Sequence, residues 1–245
     1  MVMQVPDPLT PDASAADMKR CFDLVIFDCD GVLVDSEVLS CQCLVELLRR
    51  HDVALDLENA YTQFLGRSGV AIVDHYTGLG RSLPADFGAE LQASIRGSFA
   101  RSLRAIPNVE TLLRGLDIAY CLASSSDLER IDFSLALTGL HGLFEGRMFS
   151  ADMVPEGKPA PDLFLYAAAR MGARPERTLV IEDSVSGVQA AKAAGMRVWG
   201  FIGGSHYRLR NGRALLTAAG SDRVFERMVD FGQGSADGGH DSIQR

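Results

Sequence analysis

The sequence predicts an α/β fold, a parallel sheet flanked by helices, with an all-helical insert after the first strand. Three observations carry this. Short, continuously apolar runs recur along the chain, the clearest of them stop at polar clusters, and helical spacing follows each cluster. Short runs with no polar alternation are what strands buried on both faces look like. Strand, loop and helix in repeated alternation build a parallel sheet covered by helices. A chain of 245 residues suits one large domain, or a domain with a smaller insert.

Residues 22–27, Phe-Asp-Leu-Val-Ile-Phe, predict the first strand. From 37 to 106 no strand is legible, and helical patterns run over 38–50, 58–65, 70–76 and 87–103. This stretch is expected to be a helical cap, since an insert at a strand's carboxyl end sits over the ligand crevice of an open α/β sheet. Hinges are expected at 36–37 and 106–108. Beyond Pro107 the strands resume at 118–123, 178–181 and 197–202, with weaker runs near Met148-Phe149 and Val224-Phe225. Ala and Leu recur at helical spacing over 127–137, 161–171 and 184–194. Residues 1–20, rich in Pro, Ala and Asp, and 231–245, rich in Gly, Ser and Asp, are expected to be disordered tails. That leaves 21–36 and 107–230 for the sheet domain.

Composition narrows the function. A net charge of −8 argues against a nucleic-acid or anionic-membrane binder, each of which needs a basic surface. No apolar run approaches the roughly 18–20 residues of a membrane span. The first twenty residues hold no apolar core of a secretory signal, so a cytoplasmic protein is expected, as a monomer or weak homodimer. Five cysteines, at 21, 29, 41, 43 and 121, form no disulfide framework and are expected to be reduced. Cys41-Gln42-Cys43 has neither the spacing nor the second pair of a zinc clip.

The chemistry lies where the strands end. Asp28-Cys29-Asp30-Gly31 follows the first apolar run directly, and Glu182-Asp183 ends another in the same way. In a parallel sheet both acidic pairs reach one carboxyl edge. Four carboxylates together repel one another and call for a cation, and oxygen-only ligands favour Mg²⁺ over zinc or copper. Ser124-Ser125-Ser126 offers a hydroxyl and loop N–H donors at the same edge. Gly157-Lys158-Pro159-Ala160-Pro161-Asp162 holds a lysine between a glycine and two prolines just before a helix. An ammonium, a hydroxyl and Mg²⁺ around a carboxylate make an anion-handling site, with phosphoryl the natural anion.

In this order DCDGVLVDSE, LASSS, GKPAPD and VIEDS closely resemble the four motifs of the haloacid dehalogenase superfamily, across residues 22 to about 203. The wording is most similar to the phosphatase and β-phosphoglucomutase branch. The resemblance implies a Rossmann-like core, a helical cap and a small phosphate-ester substrate. It makes Asp28 the nucleophile that forms an aspartyl-phosphate, and Asp30 the acid and base, with a pKa above the ordinary carboxylate value of about 4. Mg²⁺ would be bound by Asp28, the Asp30 carbonyl and Asp183, with Glu182 supporting the shell. Ser124 and Lys158 would hold phosphoryl oxygens, beside Gly31 and Ser125. Dehalogenases lack an aspartate at the position of Asp30 and phosphonatases carry a small residue there, so phosphoryl transfer is the implied chemistry.

The four motifs are shared by hydrolases and mutases. In the mutases a histidine stands five residues beyond the aspartate matching Asp35, where this chain has Ser40, and cap lysines grip a second phosphate, whereas residues 37–106 contain no lysine. A phosphatase for a sugar phosphate or phosphosugar acid is therefore expected. A phosphosugar mutase and a non-catalytic phosphate-binding protein are the alternatives. Arg67 is the one cap residue singled out for substrate contact, with a solvated helix end as its simpler reading. Asp35 reads equally as a cap of the first insert helix, His206 as a surface histidine near the site's rim, and Trp199 as packing. Ser125 and Ser126 also read as the start of the helix from Asp127, which leaves Ser124 as the functional serine.

Overall fold

A computed structural model of the chain describes residues 15–67, 69–208 and 210–232. Helix α1 (Ala15–Cys21) leads into β1 (Leu24–Phe27). Four helices follow: α2 (Glu37–Arg50), α3 (Leu57–Phe64), α4 (Gly69–Gly78) and α5 (Phe87–Ser102). Then come α6 (Val109–Gly115), β2 (Ala119–Ser124), α7 (Leu128–Thr138), α8 (His141–Phe144) and β3 (Met148–Ser150). The chain continues through α9 (Asp162–Arg170), β4 (Thr178–Glu182), α10 (Val185–Ala193), β5 (Arg197–Phe201), α11 (Gly212–Ala219) and β6 (Arg223–Phe225). The predicted strands and the predicted long helices all have counterparts. The short helices α6, α8 and α11, of 7, 4 and 8 residues, do not.

All strands pair in parallel, in the order β3-β2-β1-β4-β5-β6. Strand β1 is central and fully buried, which explains its unbroken apolar run. Its side chains alternate between two cores. Val25 and Phe27 share one face with Leu122, Ile181 and Trp199, in a core that also takes in Val109 and Leu113 of α6 and runs on into the four-helix segment. Leu24 and Ile26 share the other with Cys121, Val180 and Val198, against Leu163, Ala167 and Val188 of α9 and α10. Local signals set the helix starts: Asp127 accepts from Arg130 N (2.8 Å) ahead of α7, and Ser184 accepts from Gly187 N (3.0 Å) ahead of α10.

The connections into and out of the four-helix segment run side by side. Val34 and Ala105 form an antiparallel bridge, Asp35 N donates to Arg104 O (2.9 Å), and Ile106 N donates to Leu33 O (2.9 Å). Among the described residues no helix is long and apolar enough to cross a membrane.

Two boundaries of the expected tails move inward. Residues 15–21 are helical, and Met18 is only 2% exposed within the first core. Phe231 is equally buried, its ring 5.4 Å from Trp199 and 6.1 Å from Phe27. Lone apolar residues in polar surroundings carry no periodic signal, so both read as tail. The rest of the expected tails, 1–14 and 233–245, lies outside the described residues. Because Met18 fills a core site, Met18→Ala is expected to lower the unfolding free energy by about 2–3 kcal/mol. Urea denaturation checks this, and an unchanged midpoint would return residues 15–20 to the tail.

Candidate active site

The site is built on the carboxyl ends of the three central strands, β2, β1 and β4, where an open α/β sheet opens a crevice. Asp28 leaves β1 with its N–H still donating to Ile181 O (3.0 Å), so its side chain emerges at the sheet edge. The chain then folds back tightly, with Leu33 N and Val34 N both donating to Cys29 O and Gly31 N donating to Val34 O. Gly31 sits at φ +77°, and a Cβ there would fall 1.8 Å from Asp183 Oδ2. Both the turn and the approach of the two acidic motifs exclude any side chain at this position.

Lys158 crosses the crevice from the loop before α9. Its Nζ donates to Asp28 Oδ1 (2.6 Å), Glu182 Oε1 (2.7 Å) and Ala123 O (3.1 Å), with its side chain only 2% exposed. Burial pushes the Asp28 carboxyl up, Lys158 pulls it down, and the charges of Glu182 and Asp30 push it up again. The second oxygen of Glu182, Oε2, accepts from Ser184 N (2.7 Å) and Ser184 Oγ (2.9 Å). Glu182 therefore holds both Lys158 and the start of α10. Gly187 makes room for it, since a Cβ there would lie 1.7 Å from Oε1.

Asp30 departs from the expectation of a raised pKa. Its Oδ1 accepts from Ser36 Oγ (2.6 Å) and Arg130 Nη2 (3.1 Å), and its Oδ2 accepts from Ser126 Oγ (2.7 Å). Burial pushes its pKa up, but the Arg130 charge and the two hydroxyls outweigh burial and hold the carboxyl below its ordinary value, not above it. Arg130 Nη2 also donates to Ser40 Oγ of α2 (3.1 Å), and its guanidinium lies 5.1 Å from the Phe99 ring of α5. One arginine of the sheet domain therefore touches the acid and two helices of the insert.

Asp183 is buried, and its Oδ2 has no hydrogen-bond partner among the described residues. Burial and the charges of Glu182, Glu37 and Asp28 push its carboxyl well above the usual range. His206 is not a surface residue: it is 2% exposed, its Nε2 lies 3.2 Å from Asp183 Oδ2, and burial lowers its pKa to about 3. Asp35 does not cap α2. Its Oδ1 accepts from Ser205 N (2.9 Å) and Ser205 Oγ (2.8 Å), tying the first motif to the loop after β5. Trp199 is packing, as expected, at 1% exposure.

Asp28, Asp30, Ser124, Ser125, Lys158, Glu182 and Asp183 line one cavity of about 160 Å³, closed on the far side by the four-helix segment. Ser124 is buried, and its Oγ accepts from Ser126 N (3.1 Å). Arg67 lines the cavity as well, from an exposed position. The structure adds Glu37, Ser40, Gln92, Ser126 and Arg130 to the lining. Burial and the neighbouring Asp30 charge push the Glu37 carboxyl up.

A cation fits this edge. Asp28, Asp30, Glu37, Glu182 and Asp183 are buried together, against Lys158 and Arg130 as the cationic side chains holding them. The donor set is all oxygen, which suits Mg²⁺. Among the described residues no three His, Cys, Asp or Glu side chains form a cage by themselves.

The Arg130–Asp30 pair is largely buried, at 17% and 12% side-chain exposure. Arg130→Met leaves Asp30 buried without its countercharge and is expected to cost about 3–5 kcal/mol in urea unfolding. Arg130→Lys keeps the charge without the planar fork and should recover part of the loss. A cost below about 1 kcal/mol would mark an ordinary surface pair.

Comparison with known proteins agrees with this geometry. The haloacid dehalogenase-like hydrolase family matches residues 22–195. The 6-phosphogluconate phosphatase of Escherichia coli is 30% identical over 186 residues, covering 75% of this chain and 84% of the enzyme. A haloacid dehalogenase-like protein of Agrobacterium tumefaciens is 36% identical, with a TM-score of 0.75 over 86% of this chain and 96% of that one. A HAD family hydrolase of Deinococcus radiodurans, solved with bound phosphate and sodium, is 32% identical, with a TM-score of 0.69 over 86% and 93% of the two chains. The central parallel sheet, the acidic pairs at its carboxyl edge and the family match lead to one conclusion: this chain belongs to the haloacid dehalogenase-like hydrolases.

Proposed function

We propose that the protein is a Mg²⁺-dependent phosphatase acting on a small phosphate monoester, a sugar phosphate or phosphosugar acid, through an aspartyl-phosphate on Asp28. The observation that carries this reading is the clamp on Asp28. Lys158, itself fixed by Glu182, holds one oxygen of the carboxylate at the wall of a cavity that Ser124 and Asp30 also line.

Asp28 attacks phosphorus in line, and the bond to the ester oxygen breaks as the new P–O bond forms. Asp30 gives its proton to the departing oxygen, then takes one from the water that opens the aspartyl-phosphate. The Arg130, Ser36 and Ser126 contacts favour the second of these roles, because they stabilise the carboxylate that receives the proton. Lys158 and Ser124 hold phosphoryl oxygens and offset the charge spread over them in the transition state. Asp28, the Asp30 carbonyl and Asp183 would hold Mg²⁺, which supplies Lewis-acid polarisation of the phosphoryl group.

Residues 37–106 act in this reading as a cap on the sheet domain of 21–36 and 107–230. The paired connections at 33–35 and 104–106 form its stalk, and hinges at 36–37 and 106–108 let it open for substrate and close to exclude water. The hydrogen-bonding groups it contributes to the cavity, Glu37, Ser40, Gln92 and Arg67, suit a hydroxylated substrate. The similarity to a 6-phosphogluconate phosphatase supports that class.

Phosphate release from a panel of sugar phosphates, phosphosugar acids, phosphoglycolate and nucleotides, with Mg²⁺ and then with EDTA, tests the reading. Mg²⁺-dependent release is expected, strongest on a phosphosugar. Asp28→Asn should lower it on the order of 10⁴-fold or more. Conversion of β-glucose 1-phosphate to glucose 6-phosphate with little free phosphate would identify a mutase, and silence across the panel a binding protein.

A further inference from the structure

Behind Asp183 lies a built structure with no part in the mechanism above: the loop Gly203-Gly204-Ser205-His206-Tyr207 that follows β5. It is fixed at both ends. Ser205 donates twice to Asp35 Oδ1, and the Tyr207 hydroxyl donates to the backbone carbonyl of Asp183. Between these anchors the His206 imidazole is buried, with Nε2 3.2 Å from Asp183 Oδ2. Neither imidazole nitrogen has a hydrogen-bond partner among the described residues, and neither does that oxygen. Two glycines shape the recess. A Cβ on Gly204 would lie 2.7 Å from His206 Cε1, and one on Gly31 would strike Asp183 Oδ2 at 1.8 Å and approach His206 Cε1 at 3.2 Å.

Burying an imidazole with nothing to bond is costly, and such groups are rare in folded proteins. The Asp183 carboxylate oxygen 3.2 Å from Nε2 is an acceptor within reach, although the N–H is not aligned on it in the present geometry. Asp183 lines the cavity and His206 does not, so the ring stands behind the carboxylate and not beside a cation in front of it. Groups placed behind a metal-binding residue orient it and tune its basicity.

We propose that His206 is the positioning residue of Asp183: with a cation bound, a small turn of the ring or carboxylate brings its Nε2–H onto Oδ2 and leaves Oδ1 for the cation. Gly203–Tyr207 is thereby a support for cation binding, tied through Asp35 to the same motif loop that carries Asp28 and Asp30. The inference rests on the Mg²⁺-dependent reading of the site.

Calorimetric titration of the substrate-free protein with MgCl₂ tests it without reference to turnover. His206→Met fills the recess without a donor and is expected to weaken Mg²⁺ binding about tenfold or more. His206→Gln retains an N–H at similar reach and should bind close to the unmodified protein, while thermal midpoints in EDTA separate a binding defect from a folding one. Should the Met variant not fold, His206→Asn, whose amide is too short to reach Oδ2, takes its place with the same expected loss. Equal Mg²⁺ affinity in the unmodified protein and the donor-less variant overturns the assignment of His206. If the unmodified protein itself binds no Mg²⁺, the metal-dependent reading fails, and the inference with it.

Discussion

The arrangement of this protein turns on a buried charge imbalance. Five carboxylates meet at the carboxyl edge of the sheet, and Lys158 and Arg130 are the cationic side chains that hold them. The two cations serve different acids, and among the described residues Glu37 has no salt bridge to either. Lys158 spans Asp28 and Glu182, and Arg130 holds Asp30, which leaves Asp183 with an unpartnered oxygen against His206. Burial pushes the Asp28, Glu37 and Asp183 carboxyls up, so their ionisation is costly in the protein alone and would be favoured by a cation at this edge. A divalent cation and the phosphoryl group it accompanies are the proposed completion.

The same constraint explains local structure far from any ligand. Gly31 and Gly187 are required because Asp183 and Glu182 occupy the space a Cβ would need. Ser184 serves at once as the cap of α10 and as a donor to Glu182. Arg130 reaches from the sheet domain to Ser40 and Phe99 of the insert, so the seat of the helical segment and the seat of Asp30 share one side chain. Opening the insert would break the Ser40 and Phe99 contacts while the Asp30 contacts remain within the sheet domain.

Much of this was legible in the sequence, and what was not shares a cause. Strands β1, β2, β4 and β5 announced themselves because burial on both faces keeps their middles continuously apolar, with polar residues only at their ends. Asp28, Asp30 and Asp183 stood out because nothing structural calls for charges at strand ends, and Lys158 because a glycine and two prolines fix it just before a helix. Arg130, Ser126 and His206 were missed as parts of the site because their roles come from contacts across 100, 96 and 23 residues, which no local pattern records. Asp35 shows the competition directly: its local reading as a helix cap lost to Ser205, 170 residues away. The pKa of Asp30 went the wrong way for the same reason, since the role assigned to it called for a raised value and the unseen Arg130 lowered it. The doublet Gly203-Gly204 before Ser205-His206 was the one available signal for a tightly packed loop around a histidine.

Thermal unfolding of the unmodified protein in EDTA and in Mg²⁺ tests the charge imbalance most directly. A ligand at a hundred times its Kd adds about 2.7 kcal/mol to stability. For a chain of this size that corresponds to a rise in midpoint on the order of 5–10 °C. A rise of that size, saturating with Mg²⁺ and absent with Na⁺ at equal ionic strength, is the expected result. An unchanged midpoint would mean that the carboxylates are neutralised within the fold and that no cation completes the edge.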